Sequence, residues 1–75
     1  MSFMNVVSAG RRYRHFKGKE YEVLYIAKHS ETLEDMVVYK QLYGDRAVWV
    51  RPLHMFTEQV QYEGKTVPRF ALMTD

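Results

Sequence analysis

The sequence predicts an all-β fold, a small antiparallel SH3-like barrel of five or six short strands with a 3₁₀ turn before the final segment. Three observations carry that expectation. Segments rich in β-branched and aromatic residues recur along the chain, turn residues such as Gly18, Gly44-Asp45 and Glu63-Gly64 separate them, and no stretch holds a long helical period. An OB-fold is the nearest competitor, but it needs more residues and a helix between strands.

Taken in order, residues 1–10 lack a clear period and end in Ser8-Ala9-Gly10, which reads as a flexible arm ahead of a single domain over residues 11–73. Tyr13 to Phe16 is a short strand closed by a turn at Gly18, which tolerates positive φ. Glu20 to Lys28 is the first long strand. His29-Ser30-Glu31-Thr32-Leu33-Glu34 breaks the pattern and forms a loop or a single helical turn, with Ser30 and Thr32 placed to satisfy loop amides. Met36 to Tyr43 resumes β composition, and a tight Gly44-Asp45 turn leads into Ala47 to Arg51. Pro52 cannot donate to a ladder, so it ends that strand. Leu53 to Thr57 is a turn of 3₁₀ helix, and Glu58 to Tyr62 alternates as a strand. Glu63-Gly64 is the cleanest hairpin signal; Pro68 bends the last segment, Thr66 to Met73, or confines it to an edge.

Composition limits the rest. At 75 residues without cysteine, the chain has neither disulfides nor thiolate ligands, so a thin apolar core must hold it together. No apolar run reaches the ~20 residues of a membrane span, and no signal peptide is evident; a cytoplasmic setting is expected. Net charge is only +2, yet Arg11, Arg12, Arg14, Lys17 and Lys19 fall in nine residues with no acid between them. Such a segment suits phosphates or an acidic partner, or simply a solvated start to the domain. No GxGxxG, Walker-type loop, CxxC or HxxxH is present, so neither a cofactor nor a metal is expected, and His15, His29 and His54 match no zinc spacing.

Side-chain parity supplies the candidate site. Tyr39 and Tyr43 alternate with Val38, Lys40 and Leu42, and across the turn Trp49 and Arg51 alternate with Val48 and Val50. With the aliphatic set inside, Tyr39, Tyr43, Trp49 and Arg51 project onto one outer surface, joined by Tyr21 and Tyr25. Lys40 and Glu22 fall on the supposed interior parity, and a bulge would exchange the faces. Flat rings beside a guanidinium suit stacking on bases or gripping an extended peptide, while the structural alternative is that these aromatics cover the thin core. The His29-Ser30-Glu31-Thr32 loop is the second candidate, for a phosphate, a metal or a polar ligand, against the structural job of satisfying loop amides.

Several of these elements recur together elsewhere. Tyr13-Arg14-His15, Lys17-Gly18, His29-Ser30-Glu31-Thr32, Val38-Tyr39, Leu42-Tyr43-Gly44, Trp49-Val50-Arg51-Pro52, Met55-Phe56 and Arg69-Phe70 resemble, in this order, the short bacterial family called domain of unknown function 1653. The resemblance implies a small bacterial, cytoplasmic β-barrel module and brings no catalytic residues with it. Three readings follow. The first is a non-catalytic module binding a peptide or nucleic-acid element through His29, Ser30, Glu31, Thr32, Tyr39, Tyr43, Trp49 and Arg51. The second is a nucleic-acid binder driven by residues 11–19, and the third a small hydrolase or ligand-modifying enzyme centred on His29, for which adjacent Ser and His without an oxyanion-hole motif are poor equipment.

Overall fold

A computed structural model describes residues 7–73 of the chain. Seven strands and one helical turn follow in order: β1 (Arg12–His15), β2 (Glu20–Lys28), β3 (Asp35–Gln41), β4 (Val48–Pro52), α1 (Leu53–Phe56), β5 (Gln59–Tyr62), β6 (Lys65–Pro68) and β7 (Phe70–Leu72). All pairings are antiparallel. The main sheet runs β4-β3-β2-β1-β7, and β5-β6 form a separate hairpin. The fold is therefore mostly antiparallel β with one short helix. Among the described residues, no helix is long and apolar enough to cross a membrane.

The strand count exceeds the expected five or six because the final segment divides at Pro68-Arg69. Pro68 donates nothing to a ladder, and Arg69 instead gives its N–H to Glu58 O at 3.0 Å and accepts from Phe16 N at 3.0 Å. Turn chemistry explains the other connections. Gly18 at φ +105° closes β1 onto β2, with Gly18 N donating to His15 O at 2.7 Å. Glu63 at φ 52° and Gly64 at φ 80° make the two-residue loop between Tyr62 and Lys65. The expected two-residue turn at Gly44-Asp45 is longer than that, since β3 ends at Gln41 and β4 begins only at Val48. Gln41 N closes this loop on Ala47 O at 2.9 Å. The turn after β4 is α-helical where a 3₁₀ turn was expected, and Thr57 closes it with its N–H and hydroxyl on Leu53 O, both at 3.1 Å. Of the expected flexible arm, residues 1–6 lie outside the described residues. Val7 packs against the core, and Gly10 N donates to Val23 O at 2.7 Å.

The core is aromatic. Tyr13, Val23, Val37, Tyr39, Phe56 and Phe70 are buried, and Phe56 and Phe70 stack at 4.1 Å with rings 2° from parallel. Tyr13, Tyr21 and Tyr39 meet that stack edge-on. This arrangement reverses the expected parity. Tyr39 is only 5% exposed, whereas Val48 and Val50 are 52% and 58% exposed. An aromatic ring removes more area from water than a valine does, and in so small a domain the face carrying Tyr39 wins the interior. Lys40 and Glu22 then fall into place. They pair across β2–β3, in a row running Arg12, Glu22, Lys40, Val48 on the outer face. A bulge between Val23 and Tyr25 completes the exchange: Tyr21 and Val23 face the core, while Tyr25, opposite Val38, is 67% exposed on the other side.

Candidate functional site

Tyr39, Trp49 and Arg51 do share one face, as alternation requires, but that face is the core side: Tyr39 is buried within it, not presented to a ligand as expected, and Trp49 and Arg51 lie along its rim. Trp49 sits opposite Tyr39 on the edge strand β4 and is 52% exposed. It is nonetheless held in place. Its indole N–H donates to Gln41 Oε1 at 2.6 Å, and Gln41, itself buried, gives its amide to Asp45 Oδ1 at 3.1 Å and Tyr43 O at 3.3 Å. A half-exposed ring anchored by a buried amide is orientated without a ligand.

Tyr43 follows β3 on the same rim. Its hydroxyl and that of Tyr21 are 2.6 Å apart, the two rings meet edge-on at 5.5 Å, and Lys19 Nζ lies 4.6 Å from the Tyr43 ring centre. Burial, and then the hydrogen bond with Tyr43, push the Tyr21 hydroxyl well above the usual tyrosine range, so it stays protonated and available as a donor. Arg51 Nε donates to Tyr39 Oη at 3.3 Å, and its guanidinium lies 5.9 Å from the Phe70 ring. No acceptor among the described residues takes its terminal nitrogens. Parity in the sequence named Tyr43, Trp49 and Arg51. It missed Gln41, whose pinning role depends on a loop contact with no sequence pattern, and Lys19, which reaches Tyr43 only through the β1–β2 turn.

The His29-Ser30-Glu31-Thr32 loop lies elsewhere. It joins the Lys28–Asp35 end of the β2–β3 pair, whereas Tyr43 and Gln41 mark the other end. At ~3.4 Å per residue the two ends stand roughly 20 Å apart along the strands. His29 Nδ1 accepts from Glu31 N at 3.1 Å and Thr32 N at 3.3 Å, and Thr32 Oγ1 accepts from Glu34 N at 3.2 Å. Glu34 in turn meets His54 of α1 at 3.2 Å. These side chains satisfy loop amides, and no Ser30–His29 hydrogen bond occurs among the described residues. Among the described residues, no three His, Asp or Glu side chains gather into a metal-binding group.

The basic segment divides as well. Arg14 pairs with Glu20 at 3.1 Å, and Arg12 lies opposite Glu22; both strand positions alternate with the inward Tyr13. Lys19 reaches the aromatic rim. Arg69 Nη2 bonds Glu58 Oε2 at 2.8 Å, and that hydrogen bond holds the Glu58 carboxyl below its usual range. A depressed carboxylate stabilises the fold above its unfolded value and loses that contribution as pH falls through the folded one. Accordingly, Glu58→Gln is expected to flatten the acid limb of a thermal-stability profile below about pH 4.5. An unchanged acid limb would mean that the pair contributes nothing.

Comparison with known proteins places these features in a family context. A family model described as "Protein of unknown function (DUF1653)" matches residues 11–72. A crystal structure of a DUF1653 protein from Bordetella bronchiseptica is similar at 37% identity and a TM-score of 0.79, over 91% of this chain and 88% of that one. No curated protein matches the chain.

Proposed function

The chain belongs to the DUF1653 family, and from that premise we propose that it is a non-catalytic binding module whose aromatic rim receives a single-stranded nucleic-acid element. One observation carries the reading: Trp49 is half exposed yet fixed through Gln41, beside an arginine with uncommitted donors. Rings stack on any base, and each stacked base contributes about 1–3 kcal/mol. Lys19 over Tyr43 and Arg51 beside Tyr39 supply charge for the backbone. A cytoplasmic, bacterial setting belongs to the same reading.

The fold is read more finely as an SH3-like barrel. The order β7-β1-β2-β3-β4 places the last strand beside the first, β2 bulges at its middle where a barrel strand bends between sheets, and a helical turn follows β4. The β5–β6 hairpin is then an insertion before the final strand. An extended peptide is the competing ligand, favoured by the exposed edge of β4.

Salt separates the two. Binding of a fluorescently labelled single strand to the full chain, read by anisotropy, should weaken linearly in log–log form by about 0.7 for each phosphate neutralised. An unlabelled acidic or proline-rich peptide should not displace it. No binding at low salt, or displacement by peptide with no salt slope, would overturn the nucleic-acid reading.

A further inference from the structure

Beside the stacking rim lies a second feature, centred on Phe70. Its ring is buried and is met at one flank by His15 at 5.1 Å, at another by the Arg51 guanidinium at 5.9 Å, and by Tyr21 at 5.6 Å. The His15 ring is fixed by stacking on Phe16 at 4.4 Å and by Lys17 N, which donates to its Nδ1 at 3.1 Å. With Nδ1 an acceptor, the neutral ring carries its proton on Nε2, so His15 offers an Nε2–H in either charge state. Arg51 contributes terminal N–H groups with no acceptor among the described residues. Behind them, Arg69 holds Glu58, and its own Nε is buried with no partner among the described residues.

Charge around His15 is lopsided. Arg51 from β4, Arg69 ahead of β7 and Lys17 from the β1–β2 turn all act on His15, and the one acid of the group, Glu58, is held by Arg69. Tyr21 of β2 completes the surround and stays neutral. Donors that approach from different elements suit a tetrahedral oxyanion with several acceptor oxygens better than a planar carboxylate.

We propose that the Arg51 guanidinium and the His15 ring, which both lie against the Phe70 ring, form an anion subsite that takes a phosphate group. The proposal rests on the single-strand reading above, in which this group is the phosphate next to a base stacked at the rim. Linkage gives it a pH signature. Burial first, then Arg69, Arg51 and Lys17, lower the His15 pKa below its ordinary 6.5. A bound phosphate favours the protonated ring and raises that pKa, so binding of a diester, whose own charge is constant in this range, reciprocally tightens as pH falls through the His15 pKa.

The test is an NMR titration of the His15 ring in the full chain, with inorganic phosphate against chloride at matched ionic strength. Phosphate is expected to shift the His15 signals saturably and raise their titration midpoint. Arg51→Gln should weaken the effect about tenfold or more, and Arg51→Lys, which keeps charge but loses the fork, should fall between. Retained dispersion of the amide spectrum checks that the variants fold, and Lys28→Ser, paired with Asp35 at the far end of the β2–β3 pair, should behave as the parent. A strand without terminal phosphate that reproduces the shift assigns the subsite to a backbone diester. A response confined to inorganic phosphate and a 5′-phosphorylated strand assigns it to a monoester, and the subsite stands in both cases. Equal response to phosphate and chloride, or parent-like binding by Arg51→Gln, overturns it. Trp49 quenching by a single strand with a silent His15 removes the subsite and leaves the stacking reading; His15 shifts with a silent Trp49 do the reverse.

Discussion

Tyr39→Ala is expected to cost about 3–5 kcal/mol of stability, whereas Val50→Asp should cost less than about 1 kcal/mol. The two residues come from neighbouring strands and both read as β-formers, so only their facing separates them. Tyr39 packs edge-on against Phe56 at 5.3 Å and Phe70 at 5.6 Å and is 5% exposed, while Val50 is 58% exposed on the far side of the sheet. Removing the ring opens a cavity in the middle of the aromatic core and leaves Arg51 Nε without its acceptor. A domain of this size holds roughly 4–11 kcal/mol in total, so Tyr39→Ala takes a large share of it. Urea midpoints measure the difference. Should Val50→Asp unfold as readily as Tyr39→Ala, the β4 valines are core and the assignment of faces is reversed.

Trp49→Ala is expected to lower affinity for a single strand by a factor of roughly 5–150, the loss of one stacked base, with little change in the fold. Exposure of 52% means that the indole contributes modestly to burial. Trp49→Phe is the sharper variant. It keeps a stacking surface but leaves Gln41 Oε1 without its indole donor, so the ring loses its fixed orientation. Affinity should fall between parent and alanine, with the shortfall in Phe measuring what the pinning contributes. Equal binding by all three proteins would remove Trp49 from the interface.

Much of the architecture is legible in the sequence because local chemistry dictates it. Glu63-Gly64 and Gly18 need positive φ, Pro68 interrupts a ladder, and the Glu20–Lys28 run can only be a long strand in a chain without helical period. Facing is less legible. Alternation shows that Tyr39, Trp49 and Arg51 lie together, but not which side of the sheet they take, and the preference for valine inside gives the wrong answer when aromatic area is what the core needs. The bulge between Val23 and Tyr25 has no signature in residue type, and it is what separates Tyr21 from Tyr25. The candidate site shows the same limit. Tyr43, Trp49 and Arg51 stand out as residue types, yet Gln41 and Lys19 enter through contacts between loops and strands far apart in the chain. The His29–Thr32 loop is conspicuous by composition, and its His29 and Thr32 side chains turn out to accept from the loop's own amides.

Amide and indole chemical-shift mapping with a short unstructured single strand, at low salt, tests the central claim most directly. Saturable shifts are expected to concentrate at the Trp49 indole, Gln41, Tyr43, Lys19 and Arg51 and to fade as salt is raised. Shifts confined to Tyr25, Val38, Val48 and Val50 on the outer face, or none at all, would contradict it.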